Sequence, residues 1–512
     1  MIRTAELDRS SLVMLVGAAV GALAVGVLAA AAPSPLVPVA GLVSLSIAGL
    51  IWRRPFLGAW LFVAIVATLP FGVIPLPIGG AQLTFVDAVL IVTFSAVLGR
   101  VAFSGWRLSP GAPGVALVAF VSVAIAAFLA AGATSPIPPE LIRRVGKLLA
   151  SLLFFLVARA LLTSEQRLFW LTRWLMYAGA VQGALGAGLM LLSPLSQLTL
   201  LSRLQVIGYP MTDVLRYVPG PNNTYTSQLR AIGTSVDPNV FGGTLMLALT
   251  LMVVQWAVPR PVLPRWGLVL LALPTGAGVL LSLSRASWLG LAAGLVLIGA
   301  LRYRRILLAG AIVGLALVAT PNGQEFIARF VSGFSTTDRA TAFRVGEYAN
   351  ALTLVQRYPL LGIGFGLSPD IDVTAGVSSV YLLVAEQTGL LGLIMYLAAL
   401  LTTWWTGAGG VARSQDPSQT EPHGQQLQGV QAAFLAALSG ALVAGLLDHY
   451  FANQNFPHAV ALFWLYAAAL VTAGGFAQAK AEPIFRVRPI GQESAARLQA
   501  GPRRWPRYSP TR

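Results

Sequence analysis

Several arginines stand where a guanidinium group could bind an anion. The first, Arg230, opens a run to Asn239 in which Asp237 and Asn239 flank Pro238 directly before an apolar segment. This pattern is typical of an N-capped helix with proline in its first turn, and helix N-termini bind anions. The run therefore predicts either a capped helix entry beside a solvated arginine or a phosphate site formed by Arg230 and the helix start.

Arg285 lies where two apolar runs meet, within Leu281–Trp288, with only small hydroxyl residues around it. An ionisable residue at the membrane boundary is costly and is often functional. An arginine there can also extend to lipid phosphate. Both interpretations remain open from the sequence.

Two further arginines, Arg339 and Arg344, lie in a polar segment whose pattern from Asp338 to Gln356 predicts an amphipathic helix. On such a helix Arg344, Glu347 and Tyr348 share one face, because they are three and four residues apart. The segment indicates either an exposed Arg–Glu pair of little energetic value or a third cation for an anionic ligand.

The candidate catalytic residues are His449, Asp448 and Glu386, with His449 as the first and Glu386 as the second candidate for a general base. His449 follows Asp448 in a short polar segment between two apolar runs, and an imidazole is a natural base for a hydroxyl group. Glu386 lies inside an apolar run, where a glutamate usually has a partner. The alternatives are a hydrogen-bonded helix end for Asp448 and His449, and either an arginine partner or a packing hydrogen bond for Glu386.

Composition defines the scaffold that must position these residues. The chain has 512 residues, 56% hydrophobic and 10% charged, with a mean hydropathy of +0.75. Soluble domains are about 25% charged, so we predict an all-α polytopic integral membrane protein. The net charge of +16 does not indicate nucleic-acid binding, because most arginines lie in short loops between apolar runs. The absence of cysteine excludes disulfides and thiolate metal sites.

The apolar runs predict about 14 transmembrane helices, with a range of 12–14, in a single domain over residues 1–476. They lie at 11–32, 39–52, 56–70, 85–99, 113–132, 148–163, 168–192, 238–257, 266–283, 287–301, 306–320, 380–404, 429–447 and 458–476. The first is long for a signal peptide and is interpreted as a retained span. Alternatively, the short runs 39–52 and 85–99 form re-entrant segments instead of full transmembrane helices.

The arginine distribution predicts the orientation. With the basic tail 477–512 in the cytoplasm, the arginines of the short loops fall on the same side, and so does the N-terminus. The tail itself is expected to be disordered and to lie near anionic headgroups. Two long loops, 193–237 and 321–379, then lie outside the cytoplasm. Long loops escape the charge rule, yet their arginines require an anionic partner.

The second long loop is predicted to form part of an active-site lid, since long ordered loops usually carry function. It includes the glycine-rich segment Pro359–Gly366. That segment lacks the lysine and the preceding strand of a P-loop. We interpret it as a tight turn at the membrane surface that allows close backbone approach.

In this order the motifs resemble the O-antigen ligase/polymerase superfamily. The resemblance rests on Arg230–Asn239 before a span, the Ser284-Arg285 turn, the arginines of the large loop, Pro359–Gly366 and Val384–Gly392. It covers about residues 230–404, whereas the spans before residue 193 resemble the family only in being hydrophobic.

The resemblance implies transfer of a glycan from an undecaprenyl-pyrophosphate carrier to an acceptor hydroxyl on the outer face of the bacterial cytoplasmic membrane. It implies no nucleotide, metal or other cofactor. The partners would be the lipid-linked donor, a glycan or lipid acceptor, and membrane lipids. Arginines matching Arg230, Arg285 and Arg344 would hold the pyrophosphate, with Arg339 as a fourth candidate. One departure concerns the base, because Ser378-Ser379 stands where the family often has His-Asn.

The main alternative is a lipid-linked oligosaccharide flippase or another multi-span transporter. A transporter would carry its charges within the helical bundle near mid-membrane. Here they lie in two long outer loops beside helix ends, which favours an enzyme at the membrane surface. A purely structural scaffold would leave the outer arginines unexplained.

Overall fold

The computed structural model describes residues 36–74, 83–134, 136–210, 214–219, 225–332, 339–366, 369–370, 372–409 and 422–481. Within these ranges the chain is almost entirely helical. The predicted first span, 11–32, and the tail beyond Ala481 lie outside the described residues. The last helix continues to Ala481, so the tail begins a little later than the predicted residue 477.

The helices of the first half are α1 (Leu36–Arg53), α2 (Phe56–Thr68), α3 (Phe85–Phe103), α4 (Gly111–Thr134), α5 (Pro139–Leu161), α6 (Glu165–Met190) and α7 (Pro194–Ser202). Those of the second half are α8 (Pro238–Ala257), α9 (Arg265–Leu281), α10 (Arg285–Leu301), α11 (Arg304–Ala319), α12 (Pro321–Ser332), α13 (Arg339–Arg357), α14 (Val380–Ala408), α15 (Pro422–Ala444) and α16 (Pro457–Ala481).

Each predicted apolar run within the described residues coincides with one of these helices. Six of the described helices, α3, α4, α8, α14, α15 and α16, are long and apolar enough to cross a membrane. Shorter apolar helices include α1, α2, α9 and α10. The chain is therefore a mostly helical, multi-pass membrane protein, and the total of about 14 spans stays a prediction.

The centre of the bundle is formed by α8, α15 and α16, whose side chains are largely buried. Small residues bring α10 against α15. A Cβ on Gly294 would lie 2.3 Å from the carbonyl oxygen of Ala436, and one on Gly440 would lie 2.4 Å from that of Gly290. Such contacts between small residues are how membrane helices pack closely, and they fix α10, which begins at Arg285.

The first long loop is more structured than the all-α prediction allows. After α7 come a 3-10 helix (Arg203–Ile207) and two antiparallel strands, β1 (Arg216–Pro219) and β2 (Tyr225–Arg230). Their register pairs Arg216 with Arg230. The strands are too short for a periodic signal, so the sequence did not predict them.

The second long loop contains α12 and the predicted amphipathic helix, α13. The side of α13 that packs inward carries Ala351 and Leu354, each 0% exposed, whereas Phe343 is 61% exposed. The Tyr348 hydroxyl donates to the carbonyl oxygen of Leu446 at 2.7 Å. This bond fixes α13 to the segment that follows α15 and carries Asp448 and His449.

Candidate active site

Arg230, the last residue of β2, is held against the turn between α9 and α10. Its Nε donates to the carbonyl oxygen of Ser282 at 2.9 Å, and its Nη2 donates to Asn239 Oδ1 at 2.6 Å. Asp237 caps α8 as predicted, accepting from the backbone N–H groups of Asn239 and Val240 at 2.8 and 3.0 Å. The guanidinium is thus positioned between the start of α8 and the turn before Arg285.

Both turns beside Arg230 contain a backbone conformation that non-glycine residues rarely adopt. Val236 has φ 63° and Leu283 has φ 51°. Left-handed conformations at branched or bulky residues cost about 1–3 kcal/mol each and are concentrated at functional sites. The first directly precedes Asp237, the cap of α8, and the second lies two residues before Arg285.

Four charged groups are coupled around Arg230. Burial lowers the pKa of Arg230 to about 10, the carboxylates of Asp237 and Asp448 raise it, and the nearby charges of Arg285 and Arg216 lower it. An arginine with this pKa stays cationic at neutral pH. Arg230 therefore lies near two other arginines and near the carboxylates of Asp237 and Asp448.

Asp448 extends this group to Arg344. It is 5% exposed. Burial raises the pKa of Asp448, and the charges of His449 and Arg344 lower it. Arg230, Arg285 and Arg344 come from β2, α10 and α13. Arg285 interacts with Arg230 directly, and Arg344 is linked to Arg230 through Asp448. We call Arg216, Arg230, Arg285, Arg344 and Asp448 the arginine cluster.

A cavity of about 1350 Å³ lies between α13, the start of α14 and the segment after α15. Its polar lining among the described residues consists of amides, hydroxyls, two glutamates and one histidine: Glu347, Asn350, Thr374, Ser378, Glu386, Gln387, His449, Asn453, Gln454 and Asn455. Arg230, Arg285 and Arg344 do not line it. His449 connects the cavity to the arginine cluster, because its side chain lines the cavity and it directly follows Asp448, a member of the cluster.

His449 lies on a non-helical segment between α15 and α16. Its Nδ1 is 3.5 Å from Asp448 Oδ1, and that carboxylate oxygen accepts from the His449 backbone N–H at 2.8 Å. Within the described part of the chain, His449 Nδ1 has no hydrogen-bond partner. The imidazole is thus next to a carboxylate and open to the cavity.

Glu386 lies on the first part of α14 and is 2% exposed. Its Oε1 accepts from the Gly376 N–H at 2.8 Å, whereas Oε2 has no hydrogen-bond partner among the described residues. Glu347 makes a similar contact from α13, accepting from the Ser378 N–H at 3.0 Å. Two carboxylates therefore hold the segment 374–378 across the cavity, and this segment includes Ser378 of the Ser378-Ser379 departure.

The glycine-rich turn positions Glu386 through the backbone. Helix α14 is interrupted at Gly389, with φ 68° and ψ −174°, and this frees backbone groups of the preceding turn. The N–H groups of Ile363 and Gly364 donate to the carbonyl oxygens of Glu386 and Gln387 at 2.9 and 3.0 Å. A Cβ on Gly389 would lie 2.3 Å from the Leu360 backbone. The predicted close backbone approach of Pro359–Gly366 is confirmed.

The second long loop is also closed by exposed ion pairs. Arg357, at the end of α13, contacts Asp370 and Asp372, each at 2.8 Å. The Tyr358 hydroxyl donates to Asp370 at 3.1 Å. These contacts join the end of α13 to the segment that leads back to the cavity.

Among the predicted site residues, the side chain of Arg339 lies outside the described part, although its backbone begins α13. His458, the other histidine of the outer segment, is 2% exposed and packs edge-on against Phe71. It does not line the cavity.

The sequence did not single out several residues that surround the site. Asn453, Gln454 and Asn455 line the cavity, and their signal is three adjacent amides between two apolar runs. Arg144 of α5 donates to Asn455 Oδ1 at 3.3 Å. Arg216 lies opposite Arg230 in the register of β1 and β2, and the sequence carries no signal for that register.

These features define a class: a multi-pass membrane protein with an arginine cluster beside a polar cavity, both formed by the long loops together with helix ends and the segment after α15. Residues 267–397, from α9 into α14, match the family model for O-antigen ligase. The match confirms the resemblance to the O-antigen ligase/polymerase superfamily. No curated protein shows significant sequence similarity to the chain.

Proposed function

We propose that the chain is a membrane glycosyltransferase that moves a glycan from an undecaprenyl-pyrophosphate carrier to an acceptor hydroxyl on the outer face of the cytoplasmic membrane. One observation carries the proposal. Arg285, Arg344 and Glu386 lie inside the matched region, while Arg230, Asp448 and His449 lie outside it in sequence. All six contribute to the arginine cluster or to the adjoining cavity.

The arginine cluster is the proposed pyrophosphate site. In this reaction the bond between the anomeric carbon and the pyrophosphate oxygen breaks, and negative charge develops on the leaving group. Fixed guanidinium groups stabilise that charge and bind phosphate oxygens in pairs, which lysine does not do. Arg230 suits this role because its Ser282 and Asn239 contacts fix its orientation before the donor binds. Arg339 stays a candidate for the same site.

The cavity is the proposed site of the sugars. Its amides, hydroxyls and carboxylates match the donors and acceptors of sugar hydroxyl groups. Its volume of about 1350 Å³ exceeds that of ordinary small-molecule pockets, about 300–1,000 Å³. It is therefore large enough for several sugar units.

His449 is the first candidate for the base and Glu386 the second. The base would take the proton of the acceptor hydroxyl as the oxygen bonds to the anomeric carbon, and undecaprenyl pyrophosphate would leave from the opposite face. The reaction inverts the anomeric configuration. Asp448 would stabilise the imidazolium that forms on His449. The acceptor is either the growing glycan, as in a polymerase, or a lipid core, as in a ligase; a protein hydroxyl is a third possibility.

The substitution Arg285→Lys tests the proposal. It keeps the charge and removes paired binding of phosphate oxygens, so we expect transfer to fall about 100- to 1000-fold while the protein still inserts. The measurement is transfer from a purified lipid-linked glycan by enzyme in membranes. Arg203→Lys is the matched control, because Arg203 is an exposed arginine of the first long loop. Near-normal transfer by Arg285→Lys would remove the central role of the arginines.

The same preparation separates the enzyme from a flippase. Labelled lipid-linked glycan in sealed vesicles reports movement across the membrane, and product analysis reports transfer to an acceptor. Movement without transfer would favour the transporter and overturn the proposal.

A further inference from the structure

A second cationic cavity lies at the other end of the bundle. It has a volume of about 620 Å³ and lies where the ends of α8 and α10 meet the starts of α11 and α15. Its polar lining among the described residues is Arg302, Tyr303, Arg304, Arg305, Gln425 and Gln428. We call it the basic cavity.

Two helices place the basic cavity on the membrane face opposite the arginine cluster. Helix α8 begins beside Arg230 and ends at Ala257, which lines the basic cavity. Helix α10 begins at Arg285 and reaches the cavity at Leu301. The 20 residues of α8 span about 30 Å, the thickness of the hydrocarbon core.

The charges of this cavity are not neutralised by its own lining. No carboxylate occurs among the described residues that line it. In the part of the chain that the structure describes, Arg304 and Arg305 form no ion pair with another residue and are exposed. Gln428 accepts from Arg302 Nη2 at 3.0 Å. The remaining cationic groups therefore face a space large enough for an anionic group.

The surface beside the cavity fits an acyl chain. Leu308, Ile312 and Leu315 of α11 are 65%, 61% and 70% exposed. Their spacing of four and three residues places them on one face of the helix. Arg304, at the start of α11, lies four residues before Leu308 and shares that face. An amphiphile with its head in the basic cavity would have its hydrocarbon along this face.

From this arrangement we infer that the basic cavity binds the phosphate headgroup of an anionic phospholipid from the leaflet opposite the arginine cluster. Arginine pairs bind phosphate oxygens, and basic pockets between membrane helices bind anionic headgroups. Arginines also accumulate in short loops for topological reasons. The cavity and the apolar face that continues from it are what indicate a bound lipid. The inference does not depend on transferase activity.

The test uses the purified full-length protein in a neutral detergent. Phosphatidylglycerol, phosphatidylcholine and inorganic phosphate are added separately, and bound lipid is measured by native mass spectrometry. We expect one phosphatidylglycerol to bind in clear preference to phosphatidylcholine. Inorganic phosphate at equal concentration is expected not to displace it, because it lacks the acyl chains.

Two substitutions probe the site. Arg304→Gln with Arg305→Gln is expected to weaken phosphatidylglycerol binding about 20- to 30-fold, since each arginine near a membrane surface contributes about fivefold. The matched control is Arg53→Gln with Arg54→Gln, an exposed arginine pair at the end of α1 that lies outside the cavity. The control should bind within about twofold of the unchanged protein, given that its side chains do not line the cavity.

A third variant fills the cavity while keeping its charge. Ala300→Phe keeps every arginine and adds bulk to an exposed position that lines the cavity, so the preference for phosphatidylglycerol should be lost. Unchanged lipid preference in both cavity variants overturns the inference. Equal loss in the Arg53/Arg54 control also overturns it, because general surface charge would then be the cause. Displacement by inorganic phosphate would assign the cavity to a soluble phosphate instead.

Discussion

Asp448 links the arginine cluster to the cavity of the candidate site. It interacts with Arg230 and Arg344 on one side and lies beside the His449 imidazole on the other. A buried carboxylate among arginines offsets part of their mutual repulsion, but the desolvation of its own charge is the larger effect, because the pKa of Asp448 is raised. In the proposed function, Asp448 would also compete with the anionic ligand for the same cations, so we expect its removal to affect both binding and catalysis.

The burial of Asp448 affects how the stability of the fold depends on pH. Burial raises the pKa of Asp448 above its ordinary value of 3.8, so the folded protein binds this proton more readily than the unfolded chain. The carboxyl group therefore stabilises the fold less as pH rises from 3.8 through the raised pKa. We expect Asp448→Asn to raise the melting temperature at neutral pH and to remove this part of its pH dependence. Thermal unfolding in detergent between pH 4 and pH 8, about the accessible range, checks this.

Asp372 provides a control, because its pKa is shifted in the opposite direction to that of Asp448. Its hydrogen bond to Arg357 lowers the pKa of Asp372, so its stabilising effect is present above pH 3.8 and is lost as pH falls through the lowered pKa. Asp372→Asn should not raise the melting temperature at neutral pH. A rise equal to that of Asp448→Asn would show that burial is not the cause.

The two candidate bases are distinguishable by substitution. His449→Ala removes the imidazole, and loss of a general base reduces turnover by about 100- to 10,000-fold. Glu386→Gln keeps an Oε1 acceptor for the Gly376 N–H and loses only the ionisable group, so a structural glutamate would tolerate it. We expect the large loss in kcat from His449→Ala and a small one from Glu386→Gln, measured in the lipid-linked glycan assay. The reverse order would assign the base to Glu386.

At the scale of elements, the glycine-rich turn and the interruption of α14 form one unit. Backbone that leaves the helix within a membrane segment is tolerated where the protein itself supplies hydrogen-bond partners. Here Ile363 and Gly364 supply the donors, and Pro359 accepts from the Leu390 N–H at 2.8 Å. The second long loop is therefore bonded to the span that carries Glu386 rather than resting over it.

This unit gives a stability prediction. Gly389→Ala places a Cβ 2.3 Å from the Leu360 backbone at a residue with φ 68°, where a side chain alone costs about 1–3 kcal/mol. We expect a lower melting temperature and loss of transfer. Gly310→Ala in α11 is the control, since nothing lies within 4 Å of its added Cβ and alanine favours a helix by about 0.5–1 kcal/mol. Equal behaviour of the two variants would contradict the proposed bonding of loop to span.

The sequence predicted the helices well and the loops less well. Helices such as α8 and α14 began at the predicted residues, because long apolar runs mark their interiors and Asp237-Pro238 marks the start of α8. The interruption at Gly389 was not predicted, since the apolar run continues across it. The convergence of Arg230 with Arg344 depends on tertiary contacts such as Tyr348 with Leu446, which no local pattern encodes.

At the scale of the whole molecule, the arginine cluster and the basic cavity lie at opposite ends of α8. The chain has no cysteine, so single introduced cysteines report accessibility on an unmodified background. We expect Val206→Cys, at an 82% exposed position in the first long loop, to react with a membrane-impermeant maleimide in intact cells. Leu301→Cys, 59% exposed beside the basic cavity, should react only after the cells are opened. The opposite pattern would reverse the predicted orientation.

The hydrogen bonds between Pro359–Gly366 and Glu386–Leu390 also determine which segment must be exchanged as a unit in chimeras with related proteins. A chimera that imports a foreign second loop but keeps the resident span would pair two surfaces that never co-evolved, and the freed carbonyl groups of α14 would lose their partners. The smallest transferable module therefore runs from the start of α13 through Leu390. Exchanged as that block, a loop would keep its hydrogen bonds to the span, and only its contacts with the rest of the bundle, such as Tyr348 with Leu446, would have to be matched.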